Sequence, residues 1–206
     1  MRAFVVYAHP RGESFSAAVR DAVLAKLERA GAEIRVSNLY KDGFDPVLSA
    51  QAHRDYEDTS LNQIGLEGEV EKLQWCDTLI FVYPTWWYGL PAMMKGWLDR
   101  VLLPGVAFHM PSGEGETIGP ALTHITRLGV FTTCGASFWL TRYIGAPGRR
   151  TLLRGVGILC ARRCRKVFAA HYLMDSSTPE SRAAHLRKVD ERMDKLIGPV
   201  HLEGAA

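Results

Sequence analysis

Little in this sequence supports a metal centre, a membrane anchor or a covalent scaffold. Its 206 residues hold four cysteines, Cys76, Cys134, Cys160 and Cys164, with no C-x-x-C among them. Cys160 and Cys164 have neither a second pair nor a histidine at zinc-site spacing, so no metal is expected and reduced thiols are the default. The longest apolar runs, such as residues 78–83, fall far short of the ~20 residues of a membrane span, which predicts no membrane insertion. Met1-Arg2-Ala3-Phe4 enters a strand pattern at once without a signal-peptide layout, and the expected location is the cytoplasm. The balance of 25 basic and 22 acidic residues leaves a formal charge of +3, too weak to argue for nucleic acid as a partner. Neither G-x-x-x-x-G-K-[ST] nor a post-strand G-x-G-x-x-G occurs, which excludes a P-loop and a dinucleotide Rossmann fingerprint.

What is present is a globular composition, 47% hydrophobic and 23% charged, with 19 Gly and 10 Pro. That excludes disordered and collagen-like classes. At ~150 residues per domain, the length favours one domain over residues 1–206 with loop excursions.

Residues 3–8 read as a short apolar strand, and residues 14–30 as a helix with Phe15, Val19, Val23 and Leu27 on one face. Gly31 suits the end of that helix, and residues 33–38 alternate as a second strand. A polar stretch over 40–65 lacks periodicity and precedes a helix ending near Trp75. Strands at 79–83, 128–133 and 167–173 then alternate with helices at 90–102, 149–160 and 179–197, and 105–119 reads as a loop. Five short apolar strands alternating with helices predict an α/β fold with a parallel sheet covered on both faces. Such sheets bind ligands beyond the carboxyl ends of their strands, so the loops at 9–14, 84–90 and 133–148 are expected to converge.

The first loop, His9-Pro10-Arg11-Gly12-Glu13-Ser14-Phe15-Ser16, fits a phosphate at a helix start and fits a capped helix with an incidental arginine equally well. The second, Tyr83-Pro84-Thr85-Trp86-Trp87-Tyr88-Gly89-Leu90-Pro91, sets three adjacent aromatics just past a strand, where they cannot all enter one core. A flat conjugated ligand would use such a wall, and a subunit contact is the other use. The third, Thr132-Thr133-Cys134-Gly135-Ala136-Ser137, offers hydroxyls and open backbone suited to the polar edge of a heterocycle, or simply ends a strand. Cys134 reads as filler, having no base assigned to it.

Taken jointly, these motifs resemble the flavodoxin-like NAD(P)H:quinone oxidoreductase family, that of DT-diaphorase and its shorter bacterial relatives. The likeness runs through His9-Pro10 with Ser14-Phe15-Ser16, Asn38-Leu39-Tyr40, Phe44-Asp45-Pro46-Val47-Leu48-Ser49, Tyr83 to Ala92, Lys95-Gly96-Trp97-Leu98-Asp99-Arg100-Val101 and Thr132-Thr133, covering residues 1 to about 135. The resemblance implies a five-stranded parallel sheet in the order 2-1-3-4-5 with helices on both faces. It also implies a bound flavin, FAD or FMN, and two-electron, ping-pong hydride transfer from NAD(P)H to a quinone or similar small acceptor. A one-electron carrier, or a regulatory flavoprotein subunit of a transport system, is the alternative.

The same resemblance carries His9, Ser14, Phe15 and Ser16 to the flavin phosphate and ribityl region. It carries Pro84, Thr85, Trp86, Trp87 and Tyr88 to the ring, and Thr132, Thr133, Cys134 and Gly135 to its polar edge. Where the family usually has Thr-Thr-Gly-Gly, this chain has Cys134, and Leu140 and Ala146 stand where animal-type enzymes carry a Tyr and a His. Tyr143 is a candidate substitute for that tyrosine, with a structural role as the alternative. A homodimer with active sites at the subunit boundary is expected, Phe108 and His109 covering the partner's flavin. Arg142, Arg149, Arg150 and Arg154 are expected either at a nucleotide phosphate of the donor or flavin, or on a solvated helix face.

Overall fold

The computed structural model describes residues 1–198 apart from 112, 114 and 116. The elements run β1 (Arg2–Tyr7), α1 (Phe15–Arg29), β2 (Glu33–Asn38), α2 (Ala50–Arg54), α3 (Glu67–Trp75), β3 (Thr78–Thr85) and α4 (Ala92–Val101). Then come a two-residue ribbon, β4 (Phe108–His109) against β5 (Gly119–Pro120), followed by β6 (Arg127–Cys134), α5 (Phe138–Tyr143), α6 (Pro147–Arg150), β7 (Arg165–His171) and α7 (Pro179–Ile197).

The five long strands form one parallel sheet in the order β2-β1-β3-β6-β7, which is the expected 2-1-3-4-5 order of main strands. Side-chain alternation divides each of the central strands β1, β3 and β6 between two cores. Phe4, Val6, Leu79, Phe81, Leu128 and Val130 face α3, α4 and the segment after α6. Ala3, Val5, Tyr7, Ile80, Val82 and Phe131 face α1 and α7. Central strands buried on both sides explain the nearly unbroken apolar runs.

Chain chemistry accounts for the element ends. The Ser14 and Ser137 side chains accept the Ala17 and Leu140 amides, so each caps its helix. Gly31, with φ at 67°, turns the chain from α1 into β2. Gly96 lies where the chain crosses α4. A Cβ there would stand 2.2 Å from the Pro46 carbonyl oxygen, so only glycine lets residues 44–46 pack this closely on the helix.

Three expectations need correction. The helix expected over 149–160 starts at Pro147, whose fixed φ suits a first turn, and after Arg150 it widens into a π turn over Thr151–Gly155 and a 3-10 turn over Val156–Ile158. Gly155 and Gly157 in that stretch weaken regular α pairing. The loop expected over 105–119 contains one strand of the ribbon and the first residue of the other; its residues 112, 114 and 116 lie outside the described residues. The loop expected over 133–148 contains a short helix, because Ser137 nucleates α5, and the start of a second at Pro147. Among the described residues no helix is long and apolar enough to cross a membrane.

Candidate functional site

Strands β1, β3 and β6 end side by side, with Tyr7 opposite Val82, Pro84 opposite Thr133 and Thr85 opposite Cys134. The loops that follow therefore open at one end of the sheet, where the chain turns from the β2 side to the β3 side of β1. A cleft of about 800 Å³ lies there. His9 of the first loop, Pro84 to Tyr88 of the second, and Thr133, Cys134 and Gly135 of the third all line it.

His9 joins the first two loops, its ring centroid 6.3 Å from that of Trp86. His9 Nδ1 lies 3.0 Å from both the Arg11 amide nitrogen and the Arg11 carbonyl oxygen, so the loop backbone holds this edge of the ring and leaves Nε2 on the other. Burial lowers the His9 pKa, with the nearby Arg11 charge acting in the same direction, so the ring is neutral at pH 7.

The second loop turns tightly. Gly89 N–H donates to Trp86 O at 3.0 Å, and the two residues between, Trp87 and Tyr88, have φ of 48° and 61°. Two successive positive φ values make a type I′ turn, where Asn and Gly are the usual occupants. A bulky side chain in this region costs about 1–2 kcal/mol. Trp87 carries that strain while 94% exposed, so its ring gains no burial within the chain.

The third loop is braced by hydroxyls. Thr85 Oγ1 and Thr132 Oγ1 are 2.8 Å apart, and Ser16 Oγ and Thr133 Oγ1 are 3.1 Å apart. Cys134 is buried with its sulfur 3.6 Å from Thr141 Oγ1.

Several residues expected at the site point elsewhere. Ser14 spends its hydroxyl on the α1 cap and lies 3.4 Å from Tyr7 Oη, and Ser16 is buried on Thr133, so neither side chain lines the cleft. At this helix start the groups left for an anion are the first backbone amides of α1, which have no partner inside their own helix. The Phe15 ring packs on His171 and His185, with centroids at 5.3 and 5.9 Å. Thr132 faces a small void of about 20 Å³ behind the cleft, together with Tyr83, Tyr88 and Tyr172. Tyr143 is 90% exposed and lines no part of the cleft, nor do Phe108, His109 or Arg142, Arg149, Arg150 and Arg154.

Residues 1–193 match the family profile described as Flavodoxin-like fold. The chain belongs to the flavodoxin-like fold family. Among curated relatives, it is 33% identical over 127 residues to ribosyldihydronicotinamide dehydrogenase [quinone] of Pongo abelii, covering 53% of this chain and 54% of that one. The chain thus spans about half the length of the curated relatives it matches. Among solved structures, an NAD(P)H:quinone oxidoreductase from Methanothermobacter marburgensis superposes with a TM-score of 0.79 at 24% identity, over 98% of this chain and 99% of that one. An FMN-dependent NADH-azoreductase from Bacillus anthracis, in complex with FMN, superposes at 0.74 with 16% identity, over 96% and 100%. Both likenesses speak for the fold.

In this flavodoxin-like chain the cleft also takes in Ala136 and Leu140, which lie in the third loop region without having been assigned to the site, and Met174 and Asp175, which lie outside all three loops. The capping signal at Ser137 could have found Leu140, because one helical turn returns it toward the strand end. Met174 and Asp175 carried no signal. They arrive because Leu173 N–H donates to Ala136 O at 3.2 Å, folding the chain after β7 against the third loop. Asp175 then leaves no room beside Gly135, where a Cβ would stand 2.7 Å from Asp175 Oδ2.

Proposed function

We propose that this chain is a single-domain flavin-dependent oxidoreductase that takes a hydride from NAD(P)H and passes it to a quinone or similar small acceptor, donor and acceptor using one pocket in turn. The observation that carries this reading is the cleft itself, in which His9, the Pro84 to Tyr88 wall and the Thr133 to Gly135 backbone converge from three loops. A volume of about 800 Å³ suits an isoalloxazine ring with room for a second flat molecule. The names of the curated quinone-reducing relatives and the FMN complex of the azoreductase support the same chemistry.

The residues fit a flavin. Trp86, Trp87 and Tyr88 supply an aromatic wall, the strand-end threonines and the Gly135 backbone offer polar contacts for its edge, and the α1 amides beside the His9 ring suit its phosphate. Bound flavin supplies the hydride-accepting ring; the protein supplies position and electrostatics. The exposed wall keeps one side of the pocket open to exchange.

Exposed aromatics also support a homodimer within this proposal. Trp87, Trp139 at 77% and Tyr143 stand in solvent near one end of the sheet, more than a monomer usually leaves wet. Phe108 and His109, fixed by their ribbon, would reach across to the partner's cleft.

Steady-state kinetics with NAD(P)H and menadione test the reaction, and parallel double-reciprocal lines are expected. An absence of NAD(P)H oxidation by the flavin-reconstituted protein would move the reading to a one-electron carrier. Heat release and chromatography of the cofactor decide between FAD and FMN, and light scattering of the loaded protein at low micromolar concentration decides the dimer.

A further inference from the structure

A second concavity, a trough of about 870 Å³, lies on the other side of α5 from the cleft. α5 presents Leu140 to the cleft and Phe138, Thr141 and Arg142 to the trough. The trough collects positive charge from five elements. Arg142 comes from α5, Arg149 and Arg150 from α6, and Arg154 from the π turn. β7 contributes Arg165 and Lys166, and α7 contributes Lys188, Arg192 and Lys195.

Among the described residues no carboxylate lines it. The spacing of Lys188, Arg192 and Lys195 puts them on one face of α7. Asp190 and Asp194 of the same helix turn away and pair with Lys26 and Arg29 of α1. Among the described residues, no ion pair ties Arg142, Arg149, Arg150, Arg154, Lys188 or Arg192 to a carboxylate. Unneutralised like charges around a concave space repel one another, in a chain whose net charge is only +3. A bound polyanion would remove that repulsion.

The trough also has a polarity of its own. Arg165 and Lys166 stand at the start of β7, whereas Tyr172 stands just past its end, roughly 20 Å away at strand rise. At the Tyr172 end the ring of Phe138 meets it edge-on with centroids 5.5 Å apart, and the Arg149 guanidinium lies 5.1 Å above the Phe168 ring. Aromatic surface at one end and cations below it suit a ligand with a flat base and a chain of phosphates, since guanidinium groups pair with phosphate oxygens two at a time. Convergence of several elements on a hollow favours a small ligand over a bilayer or duplex, which would touch only the rim.

We propose that this trough binds a nucleotide carrying two or more phosphates, its base against Phe138 and Tyr172 and its phosphates over Arg149, Lys188 and Arg192. The site goes beyond the redox reading and does not depend on it, because none of these side chains lines the cleft.

The test is calorimetric titration of the protein, held in excess FMN to occupy the cleft, with ATP, tripolyphosphate and adenosine as separate probes. Expected are measurable ATP binding, tripolyphosphate about tenfold weaker for want of the base, and no adenosine binding at about 1 mM. Lys188→Gln with Arg192→Gln changes one helix face away from the cleft and should weaken ATP about 50-fold, at roughly sevenfold to tenfold per charged contact. The same variant should melt no lower than the parent, since it relieves repulsion. Failure of ATP to bind at about 1 mM, or equal ATP affinity in the variant, would overturn the site. Tripolyphosphate binding as tightly as ATP would overturn the nucleotide and leave a bare anion site. Because the readout is binding heat and not turnover, a protein that lacks redox activity still decides this question.

Discussion

The hydroxyls of Ser16 and Thr133 meet 3.1 Å apart inside the protein, although 117 residues separate them in sequence. This contact pins the first turn of α1 to the end of β6, so two walls of the cleft are set by one hydrogen bond between buried side chains. Both residues are thereby positioning groups. Ser16→Ala should lose about 1 kcal/mol of stability, and Thr133→Val a similar amount. The double variant should lose clearly less than the sum, a coupling read from urea denaturation of all four proteins. Additive losses would mean that the two hydroxyls do not depend on each other.

Trp87 should trade stability against flavin binding. Asn tolerates positive φ far better than Trp, so Trp87→Asn is expected to raise the unfolding free energy of the flavin-free protein by up to about 1 kcal/mol. Removal of an exposed ring forfeits little packing in the chain itself. The same change should weaken flavin retention, measured by fluorescence titration. Destabilisation of the flavin-free protein would show that the turn is not the strained element inferred here.

Gly96→Ala should be severe. Alanine would gain about 1 kcal/mol of helix propensity in α4, yet its Cβ would stand 2.2 Å from backbone at Pro46, where no flexible side chain can give way. Overpacking of this kind costs about 3 kcal/mol, leaving a net loss of about 2 kcal/mol. A fall in the urea midpoint at constant slope checks it.

Acid should weaken the fold through His185. Burial, with help from the facing His171 and Lys188 charges, lowers its pKa to about 4. His171, edge-on to it at 5.3 Å, is lowered as well, mainly by burial and then by Arg182. The unfolded chain therefore binds more protons than the folded one below the ordinary histidine value. Stability contributed by His185 is complete above pH ~6.5, is lost as pH falls toward about 4, and levels off below that. The loss attributable to this ring is about 3 kcal/mol. His185→Leu should flatten the stability profile between those limits relative to the parent; an unchanged profile would remove His185 as its source.

The sequence by itself determined the strands, the order of alternation and the loops that would hold chemistry. These follow from local rules: buried strands read as apolar runs, Ser14 caps where a helix must start, and parallel crossovers place successive loops at one end of a sheet. Motifs around His9, Trp86 and Thr133 were legible for the same reason, each lying directly past a strand. Only the tertiary structure decided which side chains face the cleft. Phe15 and Ser16 sit at the expected place on α1, yet their partners, His171, His185 and Thr133, lie more than a hundred residues away and are chosen by sheet register and helix rotation. The arginines after α5 show the same limit. As a sequence they are a basic run, and they become a walled trough only because α7 turns Asp190 and Asp194 toward α1 and Lys188, Arg192 and Lys195 toward the edge strand. Periodicity fixes what an element buries; which residues then meet across two elements depends on packing geometry that no local pattern encodes.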